Sequence, residues 1–414
     1  LYNIVDSIFV AQISQEALTA VSFVMPIQLL MIAVTVGSGV GVNSLIARRL
    51  GAKRQEEADL AACTSIRILN YLIFLFIGAV LTVPFMSHYT SNAEILSSGT
   101  TYMRIVMCFS MFMSVEILLE KVLQSTGNMI IPMICSLTGA IVNLILDPIL
   151  IFGLLGAPKL GVAGAAIATV TGQACSLIVS AIFIKKKEHA VNIKLFGFKM
   201  DWQIFKDIYA VGLPSIIMQA IGSVMLLGYN NILYAEPIAV AVLGIYFKIQ
   251  SFIFMPVFGL NQGAMPLFGY NFGARNKARL MKTYKLALMV ALIIMGIGFI
   301  LFQVIPEFFL RMFNADDSMM SIGVPALRRI SICFLPAAFG IITATLFQGT
   351  GHGNYSLFAS LIRQLFGILP LAYLLYHFYG VSASWFSFPL AEILGLSYSA
   401  IMLTHLYNKE IKQL

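Results

Sequence analysis

The feature that most constrains this chain is a series of apolar runs too long to fit inside a soluble core. They cover roughly residues 17–47, 61–85, 101–126, 130–154 and 161–184, then resume after a basic loop at about 205–234, 238–269, 284–306, 321–349, 355–378 and 383–407. A helix rises about 1.5 Å per residue, so about 20 such residues cross the ~30 Å hydrocarbon layer of a bilayer. A shorter apolar run over residues 1–11 reads as the remainder of a first helix truncated at its amino-terminal end, which makes twelve, numbered span 1 to span 12. The runs are too continuously apolar to alternate as barrel strands. Composition agrees, since 59% of residues are apolar and only 11% charged, too few charges to clothe a water-facing surface. An all-α protein that crosses a cell membrane many times is expected.

Basic residues orient the spans, because Lys and Arg are retained on the cytoplasmic side. Arg48, Arg49, Lys53 and Arg54 follow span 2, and Lys185, Lys186, Lys187, Lys194, Lys199 and Lys206 follow span 6. Arg275, Lys277, Arg279, Lys282 and Lys285 follow span 8, and Lys409 and Lys412 lie in the carboxyl tail. The alternate loops hold only Lys159 and Arg311, so both termini are expected in the cytoplasm. This distribution accounts for the net charge of +8, and no nucleic-acid partner is expected. The five cysteines (Cys63, Cys108, Cys135, Cys175, Cys333) fall in apolar runs without metal-type spacing and read as reduced packing residues.

The two halves repeat at an offset near 222–224 residues. Pro26-Ile27-Gln28 answers Lys248-Ile249-Gln250, Gly51-Ala52-Lys53-Arg54 answers Gly273-Ala274-Arg275-Asn276, and Gln124-Ser125-Thr126-Gly127 answers Gln348-Gly349-Thr350-Gly351. An even number of spans separates each pair, so the repeats run parallel about an axis along the membrane normal, an arrangement typical of bundles that rock about a central cavity. The expected organisation is a six-helix lobe over 1–190, a cytoplasmic linker over 191–204 and a second six-helix lobe over 205–414. Spans 2 and 8 are rich in glycine (Gly37, Gly39, Gly41; Gly259, Gly263), which serves close helix packing or a hinge.

Charges inside a bilayer are costly, so each needs a reason. By helical rise, Asp6 on span 1 lies ~9 Å below the outer surface, and Asp147 on span 5 and Thr169 on span 6 lie ~12 Å down. Asn143 stacks one turn from Asp147 on the same face. This set suits a group that gains and loses a proton or holds a small cation such as Na⁺ on carboxyl, carbonyl and hydroxyl oxygens; no structural metal is expected. The plain alternative is that Asp147 repairs backbone bonds freed by Pro148, with Asp6 capping locally. The repeat argues against a purely architectural need: Asp147 answers Leu371, Asn143 answers Gly367, and Asn230 and Asn231 stand near the counterpart of Asp6.

The second half has its own outliers. Lys248 on span 8 and Glu392 on span 12 lie at a common depth of ~15 Å and could pair, or could meet substrate directly. Arg363 on span 11 lies deeper and is a cavity candidate. On span 4, Glu116 and Glu120 stand one turn apart near Gln124; Glu120 is expected to pair with a basic loop residue, the alternative being that both acids attract cationic substrate. Some of the 21 Met and 31 Phe are expected to line a cavity that accepts flat cations.

Taken together, Tyr2-Asn3-Ile4-Val5-Asp6, Ala47-Arg48-Arg49-Leu50-Gly51-Ala52, Asn143-Leu144-Ile145-Leu146-Asp147-Pro148, Gly161-Val162-Ala163-Gly164-Ala165-Ala166 and Gly269-Tyr270-Asn271-Phe272-Gly273-Ala274 resemble the multidrug and toxic compound extrusion (MATE) family, in its bacterial branch. The resemblance runs the whole length and implies twelve helices in two pseudo-symmetric six-helix bundles. It implies export of organic cations and drugs in exchange for H⁺ or Na⁺, with no cofactor beyond that ion and no enzymatic activity, by a monomer among membrane lipids. Carried over, the coupling site is Asp6, Asn143 and Asp147, with Thr169 beside them. Spans 7 and 10 carry no acid over 225–234 and 332–345, which departs from relatives with a second-lobe ion site, unless Glu392 serves that role. A lipid-linked saccharide flippase is the alternative; it needs several basic groups for pyrophosphate, and Lys248 and Arg363 are few. A membrane prenyl transferase needs clustered Asp for Mg²⁺ and diphosphate, and direct ATP coupling needs a phosphate loop; neither pattern is present.

Overall fold

The computed structural model describes residues 6, 8–66, 70–186, 190–193, 201–313 and 315–414, and among these there is no β-strand. Residues 1–5 of span 1 and 194–200 of the expected linker lie outside the described residues. Among the described residues, ten helices are long and apolar enough to cross a membrane: Gln15–Gly51, Leu72–Tyr89, Ile130–Phe152, Val162–Lys185, Trp202–Ile232, Pro237–Gly273, Lys277–Val304, Asp317–Gly349, Gly353–Tyr379 and Val381–Gln413. They correspond to spans 2, 3 and 5 to 12. Span 4 comes instead as two helices, Ala93–Cys108 and Ser110–Ser125, broken at Phe109. Opposite that break, span 3 contains a π-helical turn, Ile77–Leu81, where a Cβ on Gly78 would stand 2.6 Å from the Met107 Cβ.

Many large apolar side chains face outward, among them Ile73, Phe76, Ile130, Leu227, Phe252 and Phe366. Water would punish that exposure, and lipid accommodates it. The protein is a multi-pass membrane protein.

The chain forms two compact units, one from Leu1–Val42 and Asp59–Phe205, the other from Asn43–Ala58 and Lys206–Leu414. Span 2 is one unbroken helix whose final turns belong to the second unit. The first unit's core is built on Val10, Val24, Met31, Tyr102, Met103 and Met107. The second unit's core is larger and aromatic: Tyr246, Phe302 and Phe334 meet edge-on near Phe388, and Tyr229 stacks on Trp385.

The repeat is visible in backbone geometry. Lys53 and Arg275, at matching places after spans 2 and 8, both take positive φ (59° and 53°), as do Gly127 and Gly351 (86° and 94°). Within the second unit the ends of spans 2 and 8 meet through their matched glycines. A Cβ on Gly51 would stand 2.0 Å from the Tyr270 carbonyl oxygen, and one on Gly273 would stand 2.0 Å from that of Arg48. Only a hydrogen fits at either place, so the Gly-Ala pairs quoted above serve a helix crossing.

Candidate functional site

Four helical segments of the first unit bring Asp6, Tyr102, Asn143, Asp147 and Thr169 to one point. All are buried, and Asp6, Asn143 and Asp147 are wholly so. The helical phase explains part of this: Asn143 and Asp147 are four apart on Ile130–Phe152 and share a face. Asn143 Nδ2 lies 3.3 Å from Asp6 Oδ1, 3.2 Å from Asp147 Oδ1 and 3.4 Å from Thr169 Oγ1. Thr169 Oγ1 donates to Asp6 Oδ2 at 2.7 Å, and the Tyr102 hydroxyl donates to the same oxygen at 3.0 Å. Gln28 Nε2 in turn donates to the Tyr102 hydroxyl at 3.3 Å. The Asp6 and Asp147 carboxyls thus meet at one amide nitrogen, that of Asn143.

Acceptors outnumber donors here. An amide NH₂ has two hydrogens, so Asn143 cannot serve three oxygens at once. Asp147 Oδ2 and Asn143 Oδ1 are buried with no hydrogen-bond partner. Among the described residues no Lys, Arg or His forms an ion pair with either acid. Two carboxyls so close in a medium of low dielectric need a compensating positive species, either a proton on one of them or a cation between them. Pro148 does not account for the arrangement. The group it frees is a backbone carbonyl, which needs a donor, whereas Asp147 Oδ1 accepts from the Asn143 side chain and Asp147 Oδ2 has no hydrogen-bond partner. Sequence reasoning placed Asp6, Asn143, Asp147 and Thr169 here and missed Tyr102 and Gln28; the available signal was a polar ring and an amide inside apolar runs.

Below this cluster on span 4 lie Glu116, Glu120 and Lys121, each less than a tenth exposed. Ser176 Oγ donates to Glu116 at 2.7 Å, and Ser136 Oγ donates to Glu120. The expected pairing of Glu120 with a basic loop residue is therefore corrected: no ion pair to Glu120 forms among the described residues, and its hydrogen bond comes from Ser136. Gln124 accepts from Lys121 Nζ at 2.9 Å and stands outside the lining of the cavity that the two acids border. A Cβ at Gly39 would stand 2.6 Å from Lys121 Cγ, so this glycine of span 2 makes room for the lysine. Gly259 and Gly263 of span 8 have open space around them, so close packing is not their reason.

In the second unit Arg363 Nη1 meets Glu392 Oε2 at 3.4 Å. The expected Lys248–Glu392 pair does not form: Lys248 is exposed and lies 5.7 Å over the Phe313 ring. Arg363 sits in a π-helical turn, Ile362–Ile368, which turns its side chain toward span 12, where Gly395 leaves space for its stem. Two adjoining cavities of about 350 and 450 Å³ share Arg363, Glu392, Gln219, Gln364 and Phe258. Met218, Met225, Phe247, Phe254 and Phe388 are among the residues that supply apolar wall.

Comparison with known proteins places this architecture. The MatE family model matches residues 1–149 and 210–374. The multidrug export protein MepA of Staphylococcus haemolyticus is 27% identical over 399 residues, covering 95% of this chain and 86% of the relative. A solved outward-facing multidrug resistance MATE family transporter of the MOP superfamily is 26% identical, with a TM-score of 0.89, and the match covers 99% of this chain and 92% of that one. The MATE multidrug transporter DinF-BH, solved with a small molecule bound, is 30% identical, with a TM-score of 0.87 and coverage of 100% and 92%.

Proposed function

Because this chain belongs to the MATE family of transporters, we propose that it is a multidrug efflux antiporter of the MepA-like branch. It exports organic cations and drugs in exchange for H⁺ or Na⁺, and its two lobes alternate access between the two sides of the membrane. The observation that carries this reading is the Asp6–Asn143–Asp147–Thr169 cluster, buried, rich in acceptors and without a basic partner among the described residues. A positive ion that binds there stabilises one arrangement of the lobe over another only by its differential affinity for the two, which is how an ion gradient drives the cycle. Aromatic and thioether wall beside Glu392 supports a cationic, flat substrate. The flippase reading gains nothing from the second unit, where the guanidinium of Arg363 is committed to Glu392. The test is transport of a fluorescent organic cation in proteoliposomes with H⁺ and Na⁺ gradients imposed separately. Uphill accumulation driven by neither gradient would sink the antiport reading.

A further inference from the structure

A cavity of about 280 Å³ inside the first unit borders Thr169 of the upper cluster and Glu116 and Glu120 of the lower one; Gln28, Ser136 and Gln173 add polar lining, and apolar side chains such as Met31 and Met113 complete its wall. At one end Thr169 and Gln28 reach Asp6, the first directly and the second through the Tyr102 hydroxyl. At the other end stand Glu116 and Glu120. One helix connects the two: on Val162–Lys186, Thr169, Gln173 and Ser176 are spaced i, i+4 and i+7, a single polar stripe. Thr169 donates to Asp6 and Ser176 donates to Glu116, about 10 Å apart by helical rise. Between them, Gln173 is 8% exposed, lines the cavity, and among the described residues has no side-chain hydrogen-bond partner. A buried amide that shares a cavity with two carboxyls and has nothing to bond is a place where water or an ion belongs.

The lower cluster is also short of positive charge. Among the described residues it holds two carboxyls and one ammonium, Lys121, with the thiol of Cys135 of span 5 nearby. Span 2 contributes Gln28 and span 6 contributes Gln173 and Ser176, all neutral. One carboxyl is therefore in excess, and burial demands that a proton or monovalent cation balance it. We infer that Glu116 and Glu120 form a second binding station for the coupling cation, which passes through the first lobe between Asp6–Asp147 and this pair along the Thr169–Gln173–Ser176 stripe. The inference rests on the antiport reading above, and gives the ion a path separate from the second-lobe cavities. By the positive-inside assignment, the Glu pair is the cytoplasmic end of that path.

Glu116→Gln is the informative variant, since it removes the excess carboxyl and leaves Glu120 and Lys121 as a balanced pair that can fold. In proteoliposomes, gradient-driven accumulation of a fluorescent organic cation is expected to fall on the order of tenfold relative to the same variant's downhill exchange, with Glu116→Asp restoring it. Gln173→Leu, which closes the stripe without touching a charge, is expected to act in the same direction. H⁺ and Na⁺ gradients imposed separately tell which cation uses the path. If Glu116→Gln and Gln173→Leu both accumulate substrate as the unsubstituted protein does while Asp147→Asn does not, the relay is overturned and the antiport reading stands. If Asp147→Asn also accumulates substrate normally, both fall together.

Discussion

The two units each bury carboxyl groups at membrane depth and treat them in opposite ways. In the second, Glu392 has its cation built in, 3.4 Å away on Arg363. In the first, Asp6 and Asp147 are held by a hydroxyl, a phenol and an amide, all neutral, and two acceptor oxygens are left bare. Where the first unit carries Asn143, the repeat has Gly367, packed so tightly that a Cβ would stand 2.7 Å from that of Ala391. The same scaffold position thus serves polar chemistry in one lobe and helix contact in the other. A carboxyl with a resident cation is electrostatically closed; one without must draw its positive charge from solution, and only the second kind responds to an ion gradient.

The sharpest way to break this comparison is to neutralise each kind of acid in turn. Asp147→Asn or Asp6→Asn keeps the shape and hydrogen-bonding reach of the side chain and removes its charge. Gradient-driven efflux of a fluorescent cation is expected to drop by on the order of a hundredfold, with the protein still folded and inserted. The measurement is accumulation in proteoliposomes beside a melting curve in detergent; normal accumulation from either variant removes the distinction between the lobes.

Glu392→Gln should do something different. It strands the Arg363 guanidinium, which is expected to cost about 2 kcal/mol of stability, below the usual range for broken buried pairs because Arg363 keeps about a quarter of its side-chain exposure. Replacing both residues with Met and Leu is expected to recover most of that loss, since it removes the desolvated pair together. Denaturation of the single and double variants in detergent decides it. A double variant as unstable as the single would mean that the pair holds the bundle by shape, with charge incidental.

What was legible in the sequence was depth along a helix axis, and what was not was direction around it. Asn143 and Asp147 were readable as neighbours because a four-residue spacing fixes a common face. Lys248 and Glu392 share a depth, yet Lys248 points to Phe313 and the partner of Glu392 comes from a π-helical turn that no residue pattern announces. Tyr102 was hidden for a related reason: in an apolar run its ring reads as packing, and only the arrival of Asp6 from another helix gives the hydroxyl a role. The break at Phe109 has no proline or glycine at that position to mark it; the close approach of Met107 to Gly78 of span 3 beside it is a tertiary contact that sequence does not announce.

The glycines of spans 2 and 8 sharpen the comparison at smaller amplitude. Gly39→Leu must displace the Lys121 stem, and an overpacking cost of about 1–2 kcal/mol is expected. Gly259→Ala meets nothing within 4 Å and removes a flexible residue from a helix, so stability should rise by up to about 1 kcal/mol. If span 8 bends there during the cycle, transport slows in the Gly259→Ala variant even though its melting point rises. A variant that is stabilised and transports normally argues that span 8 works as a stiff rod.

The smallest effect concerns His352, in the connection between spans 10 and 11. Its imidazole bonds Glu410 at 3.0 Å and Thr350 at 3.2 Å and packs beside Tyr355 and Phe272. Burial lowers its pKa from the ordinary 6.5, and Glu410 offsets that only in part. The folded protein therefore binds a proton here less readily than the unfolded chain does. Stability from this group is full above pH 6.5 and falls as acid protonates the unfolded histidine first. A modest decline in melting temperature is expected between about pH 7 and pH 5, flattened by His352→Asn, which cannot titrate in this range. If the Glu410 ion pair outweighed burial, the slope would reverse and acid would stabilise the protein through this group, so the sign of one melting series separates a closed charge pair in the second unit from a neutral hydrogen bond.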